Sequence, residues 1–142
     1  MSAYLDASAL IATLVREPSS AAIDTFLEHY GGALGVSDFA AAEVASALFR
    51  LVRTHLIAQE DAEARLSDFD TWRSVRTEPI DIGPSDARLA NAYVRRFDLT
   101  LRAPDALHAA ICRRLDLTLV TLDQRLARAA RELGIEVRVP VG

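Results

Sequence analysis

Four of the acids in this chain stand where side chains can do chemistry. Asp6 follows the apolar run Ala3-Tyr4-Leu5 and is followed at once by Ala7-Ser8-Ala9-Leu10, so it ends a strand and opens a helix. Asp123 occupies the same kind of junction after Val120-Thr121-Leu122, and Asp105 stands directly after Pro104 in a first helical turn. Open α/β sheets bind ligands beyond the carboxyl ends of their strands, where the strand order reverses. Each of these three acids is also explained as a helix cap or as a charge favoured by the helix dipole. Glu43 is different. Its neighbours three and four residues away are Phe39, Ala40, Ser46 and Ala47, with no arginine among them. A carboxylate on so apolar a helix costs free energy if it is buried without a partner. Gathered in one place, the four acids would repel one another unless a cation were present. Oxygen-only ligation suits Mg2+ or Mn2+, with waters completing an octahedral shell.

The elements that must position these acids alternate between strand and helix. A helix over 8–16 stops before Pro18, and Ser19 or Ser20 caps the next, whose apolar face is Ile23, Phe26, Leu27 and Tyr30. Residues 33–36 read as a strand after Gly31-Gly32, and Ser37 caps a long helix to about residue 56. A further helix covers 59–75 with Leu66, Phe69 and Trp72 inward, and residues 79–82 alternate as a short strand. Ser85 is expected to cap a helix whose buried stripe is Leu89, Tyr93 and Phe97; Pro104 opens the one after it. A strand over 117–121, a helix over 123–133 ended by Gly134, and an alternating strand over 135–139 close the chain. This pattern predicts one α/β domain, residues 1–142, around a mostly parallel five-stranded sheet. The third and fifth strands alternate with polar residues and read as edges, so the expected order is 3-2-1-4-5. That order puts the first strand beside the fourth, and Asp6 and Asp123 in one crevice.

Composition narrows the chemistry further. The chain has 142 residues, 51% hydrophobic and 25% charged, enough for a sizeable core and neither disordered nor fibrous. No apolar run reaches the roughly 18 residues of a membrane span, and the N-terminus has no signal-peptide pattern, so a cytoplasmic protein is expected. The single cysteine, Cys112, lies among Ala109, Ile111 and Leu115 and reads as a buried packing thiol. His29, His55 and His108 have no zinc spacing; His108, one turn after Asp105, reads as a packing or hydrogen-bonding residue. All 16 basic residues are arginines, which weakens lysine-dependent phosphate loops, Schiff-base chemistry and aspartyl-phosphate sites. The net charge of −4 is uneven: residues 1–70 hold 4 arginines against 11 acids, and residues 71–142 hold 12 against 9. Indiscriminate polyanion binding is disfavoured, but a local arginine-lined groove fits.

Tyr4-Leu5-Asp6-Ala7-Ser8, Glu43 in its alanine-rich helix, Arg102-Ala103-Pro104-Asp105-Ala106-Leu107-His108-Ala109-Ala110 and Val120-Thr121-Leu122-Asp123 together resemble the PIN-domain ribonucleases. The short single-domain form resembles the VapC toxins of bacterial toxin–antitoxin pairs. The resemblance spans essentially the whole chain, and its order and spacing carry it rather than any one motif. It implies a three-layer α/β/α fold and metal-dependent cutting of RNA, with Asp6, Glu43, Asp105 and Asp123 as the acidic, metal-holding site. It implies supporting hydroxyls at Ser8 and Thr121, Mg2+ or Mn2+ as cofactor, a cognate antitoxin and a homodimer as partners, and no membrane. The chain departs from the pattern at Leu122, where a polar residue is common, and at Leu126, where an aromatic is. An acidic site needs positive groups around it to hold RNA; Arg95, Arg96, Arg102 and Arg125 are the candidates, with Arg113, Arg114 and Arg128 behind them. The competing expectation is a catalytically silent PIN-like module that binds RNA or protein. A phosphotransferase built on Asp6 lacks a second nearby acid and any lysine.

Overall fold

The computed structural model describes residues 2–141. In chain order the elements are β1 (Ala3–Leu5), α1 (Ala7–Leu14), α2 (Ser20–His29), β2 (Leu34–Ser37), α3 (Asp38–Arg53), α4 (Gln59–Arg76), β3 (Glu78–Ile80) and α5 (Pro84–Val94). A single 3-10 turn (Phe97–Leu99) then leads to α6 (Ala103–Leu115), β4 (Thr118–Val120), α7 (Gln124–Glu132) and β5 (Val137–Arg138). The five strands form one sheet in the order β3-β2-β1-β4-β5, and every pairing in it is parallel. The expected strand order is therefore the observed one, and the sheet is wholly rather than mostly parallel.

Alternation along the strands divides the interior into two cores. Ala3, Leu5, Val36 and Val120 face α1 to α4, whereas Tyr4 and Leu119 face α5 to α7. The result is the three-layer α/β/α sandwich, with helices on both faces of a buried parallel sheet. β1 is central and its three residues are fully buried. At the β2–β3 pairing a methyl group on Gly35 would come within 2.7 Å of the Ile80 side chain, which would have to shift to admit it. β3 is an edge and carries Pro79, which removes a donor that an edge strand can spare. Among the described residues no helix is long and apolar enough to cross a membrane.

The helix starts are written by short polar side chains. Asp6, Ser37 and Asp123 cap α1, α3 and α7 by accepting backbone N–H groups one turn on. Some expectations shift. α3 ends at Arg53 because His55 turns the backbone into the left-handed region at φ 62°. Ser20 does not cap α2; its hydroxyl bonds back to Ala12 O at 2.7 Å and accepts the Glu17 N–H. Ser85 does not cap α5. Gly83 holds the cap position before Pro84, and Asp86 reaches back to accept the Gly83 N–H at 2.8 Å. Tyr93 is buried and Leu89 partly so, but Phe97 is 90% exposed, because α5 ends at Val94 and the helical period that would bury it is broken. The last strand shrinks to Val137–Arg138.

Asp86 also ties α5 to the end of α6. It is buried and accepts from Arg114 through both oxygens, at 2.7 and 2.8 Å, while Arg114 also donates to Asp81 O. Burial pushes the Asp86 carboxyl up, but the Arg114 and Gly83 hydrogen bonds and the Arg114 charge outweigh it and hold it below the usual range. A depressed folded pKa gives stability that is complete above the unfolded value of about 3.9 and is lost as pH falls through the folded one. Asp86→Ala is expected to cost about 2 kcal/mol at pH 7, from the lost cap and a partly exposed pair. In urea titrations the gap from wild type should narrow as pH drops below 4.

Candidate acidic site

Asp6 leaves β1 into the crevice between β1 and β4 and is almost completely buried. Its Oδ1 accepts from Ser8 Oγ at 2.6 Å and from the Ala9 N–H at 3.0 Å; its Oδ2 accepts from Thr121 Oγ1 at 2.5 Å. Both hydroxyls are themselves held by the β4–α7 loop: Ser8 Oγ accepts the Leu122 N–H at 2.9 Å and Thr121 Oγ1 the Asp123 N–H at 3.0 Å. Burial pushes the Asp6 carboxyl up, against the pull of its three hydrogen bonds. Among the described residues no arginine pairs with it.

The other three acids come from three different helices. Asp123 caps α7 through Oδ1 alone, accepting from Arg125 and Leu126 N–H groups at 2.9 and 3.2 Å, which leaves Oδ2 open. Asp105, in the first turn of α6, is partly buried and has no hydrogen-bond or ion-pair partner among the described residues. Burial raises its pKa, the Asp123 charge raises it further, His108 opposes, and Asp6 and Glu43 add to the rise. All four carboxylates therefore belong to one electrostatic neighbourhood. Glu43 does have a partner, His108, whose Nε2 lies 2.5 Å from Glu43 Oε1. The partner escaped a search along α3 because it comes from α6, 65 residues on; the clue available in the sequence was a histidine one turn after Asp105.

Chemically this donor set fits a hard divalent cation. Every candidate ligand is a carboxylate oxygen, several oxygens carry no hydrogen bond among the described residues, and the other acids raise the Asp105 pKa. As the side chains stand, no group of three or more His, Cys, Asp or Glu among the described residues is placed to hold a metal ion, so a cation would have to draw the carboxylates together or reach them through water. Cys112 takes no part; it is buried in the α5–α7 core and burial raises its thiol pKa.

The arginines divide into two sets. Arg102 is the exposed residue before α6, three positions ahead of Asp105, and Arg125 is exposed in the first turn of α7, two after Asp123. Arg95 is bonded to Asn91, and Arg96 is paired with Asp98 at 2.8 Å and feels Glu132, the last residue of α7 and so at the end away from Asp123. Arg113 and Arg128 are exposed, and Arg114 is engaged by Asp86.

Such a molecule is a parallel α/β/α sandwich with Asp6 and Asp123 beyond the carboxyl ends of β1 and β4. The chain belongs to the PIN-domain family, whose family model matches residues 3–132. Against curated proteins the sequence finds no significant match. Among solved structures it is similar to VapC20 of Mycobacterium tuberculosis, a sarcin–ricin-loop-cleaving toxin, with a TM-score of 0.71 and 15% identity over 89% of this chain and 93% of that one. It is similar to VapBC2 of Rickettsia felis, bound to a promoter DNA fragment, with a TM-score of 0.69 and 16% identity over 97% and 98% of the two chains. A toxin–antitoxin complex from Klebsiella pneumoniae gives 0.64 and 20% identity over 98% of each chain. At these identities the structural likeness establishes the fold.

Thr121→Val is expected to destabilise the domain by about 1–3 kcal/mol, because it strips a donor from a buried carboxylate and an acceptor from the Asp123 N–H. Thr121→Ser should recover most of the loss, as read from urea midpoints.

Proposed function

We propose that this domain is a divalent-metal-dependent endoribonuclease and the toxin of a toxin–antitoxin pair. The observation that carries the reading is Asp105: a partly buried carboxylate beside three others, with neither a hydrogen-bond donor nor an ion-pair partner among the described residues. Mg2+, or Mn2+, held by Asp6, Glu43, Asp105 and Asp123 directly or through water, would supply an activated water and neutralise charge on a phosphodiester. Ser8 and Thr121 keep the Asp6 oxygens in place. Arg102 and Arg125 stand beside Asp105 and Asp123 in sequence and draw the phosphate backbone to an otherwise repelling site, which makes binding salt-sensitive. RNA as the substrate rests on the family resemblance and on VapC20, the neighbour that cleaves the sarcin–ricin loop.

An antitoxin partner is supported by the Klebsiella neighbour and by a groove of about 490 Å3 between α1, α2 and α4. Its floor includes Leu14, Leu27, Phe69 and Trp72, and Glu28 and Asp68 stand at its edge. That pattern suits a segment with apolar anchors and basic flanks. The same reading includes a homodimer, to be measured by light scattering.

Asp105→Asn separates the chemistry from the fold. Its folded pKa lies above the unfolded one, so ionisation costs stability as pH rises past the ordinary carboxylate range, and Asn removes that cost. The variant is expected to melt above wild type in chelator at pH 7. It should also lose the thermal shift that Mn2+ gives wild type, and cleave RNA more than roughly 100-fold more slowly. Undiminished cleavage by thoroughly chelated wild type overturns the metal mechanism, and metal-independent RNA binding without cleavage favours a silent module. Trp72→Glu should weaken capture of a co-expressed antitoxin and leave RNA cleavage intact.

A further inference from the structure

Behind Glu43 lies a chain of buried polar groups that the acidic crevice alone does not call for. Ser37, Tyr4 and His108 are each at most 2% exposed, although they lie in the middle of the domain where apolar side chains would pack without penalty. They come from β2, β1 and α6, and Glu43 comes from α3. Ser37 Oγ is 2.8 Å from the Tyr4 hydroxyl, that hydroxyl is 2.6 Å from His108 Nδ1, and His108 Nε2 is 2.5 Å from Glu43 Oε1.

The groups at the two ends of this chain are compatible with one continuous direction of donation through it. At one end the Ala40 N–H, 3.1 Å away, donates to Ser37 Oγ, which keeps its own proton and a second lone pair for Tyr4. At the other end an ionised Glu43 can only accept, so His108 donates from Nε2 and Nδ1 is left as an acceptor. Tyr4 then accepts from Ser37 and donates to Nδ1. In this arrangement every group of the chain is bonded, with a neutral His108 carrying its proton on Nε2. Burial independently keeps the Tyr4 phenol in its donating form by raising its pKa. The imidazole is also wedged between rings, with Tyr4 and Phe39 each 5.5 Å away and tilted by 49°.

We infer that His108 is a positioning residue for Glu43, locked by Tyr4 and Ser37 so that the α3 carboxylate is held in one orientation at the acidic site. Glu43 is a flexible side chain, 29% exposed, on the rim of the crevice. Without an anchor it would spread over several rotamers, and ordering it again for each ligand would cost free energy. The bond from Nε2 occupies Oε1 and leaves Oε2 turned to other partners. The same four bonds tie the first two turns of α3, the middle of β1, the end of β2 and the second turn of α6 together, so a shift of α6 is carried to the carboxylate. What Glu43 does once positioned rests on the metal-site reading; its being positioned does not.

The test separates the two. In metal-free, RNA-free protein, side-chain 13C relaxation of Glu43 reports its order, and long-range 1H–15N correlation reports the His108 tautomer. Wild type should show an ordered Glu43 and protonation at Nε2. His108→Leu should release Glu43 with the backbone unchanged, Tyr4→Phe should release it partly, and His108→Gln, which keeps a donor, should restore order. Should the leucine variant fail to fold, Tyr4→Phe and His108→Gln carry the same comparison. An equally ordered Glu43 in His108→Leu or, in its place, Tyr4→Phe, or an Nδ1–H tautomer in wild type, overturns the positioning role. Mn2+ titration then reads the consequence: the affinity of the released variants should fall roughly 10- to 100-fold, with RNA KM nearly unchanged and kcat reduced. If Glu43 is released but Mn2+ affinity is unchanged in these variants and in Glu43→Gln, the positioning role stands and the metal role of Glu43 falls.

Discussion

A nearly sealed carboxylate with no ion-pair partner among the described residues is the constraint on which this structure turns. Asp6 is held at 3% exposure by Ser8, Thr121 and the Ala9 N–H, and burial still disfavours its charged form. The three donors can converge only because β1 pairs with β4 on one side and α1 begins immediately after β1. A different strand order would leave Thr121 beside another strand and Asp6 with two donors. The sheet topology and the state of this one acid are therefore linked, and the strand ends are the place where the fold stores its unfavourable electrostatics.

Among the described residues the rest of the molecule pairs no arginine with that charge. Arginines are plentiful in residues 71–142, yet those that pair do so with exposed acids or with Asp86, away from the crevice. Arg102 and Arg125 precede Asp105 and follow Asp123 without pairing to either. A guanidinium bound directly to these carboxylates would neutralise the site and close it to a metal and to a phosphate. Under the proposed function the spacing matters: positive groups a few residues away attract the substrate, and the acids stay free for the cation.

The fold was legible because its signals are local. Short apolar runs, caps at Ser37 and Asp123, Pro104 at a helix start and Gly134 at a helix end all act within a few residues. The polar alternation of the outer strands then selected one strand order. The failures are also instructive. Ser85 looked like a cap because its type is right, but Pro84 fixes the first turn one residue earlier and Asp86 supplies the bond. Phe97 continued a helical period on paper, yet α5 had already ended, so its ring projects from a turn. Glu43 looked unpartnered because only its own helix could be searched. Its histidine arrives through tertiary structure, and no local rule pairs residues 43 and 108.

Helix capping and ligand binding looked like rival explanations for Asp6 and Asp123, but the geometry assigns them to different lone pairs. A carboxylate offers about four acceptor sites. Asp123 uses Oδ1 for both capping bonds and keeps Oδ2 open, and Asp6 fills Oδ1 with Ser8 and Ala9 while Oδ2 carries Thr121 alone. The cap is then what aims the remaining lone pairs, because the backbone N–H groups of a helix start are among the most rigid donors available. An acid at a strand-to-helix junction is oriented by the act of starting the helix. The bond that makes Asp6 or Asp123 structurally ordinary is thus the same bond that would make it a well-placed ligand.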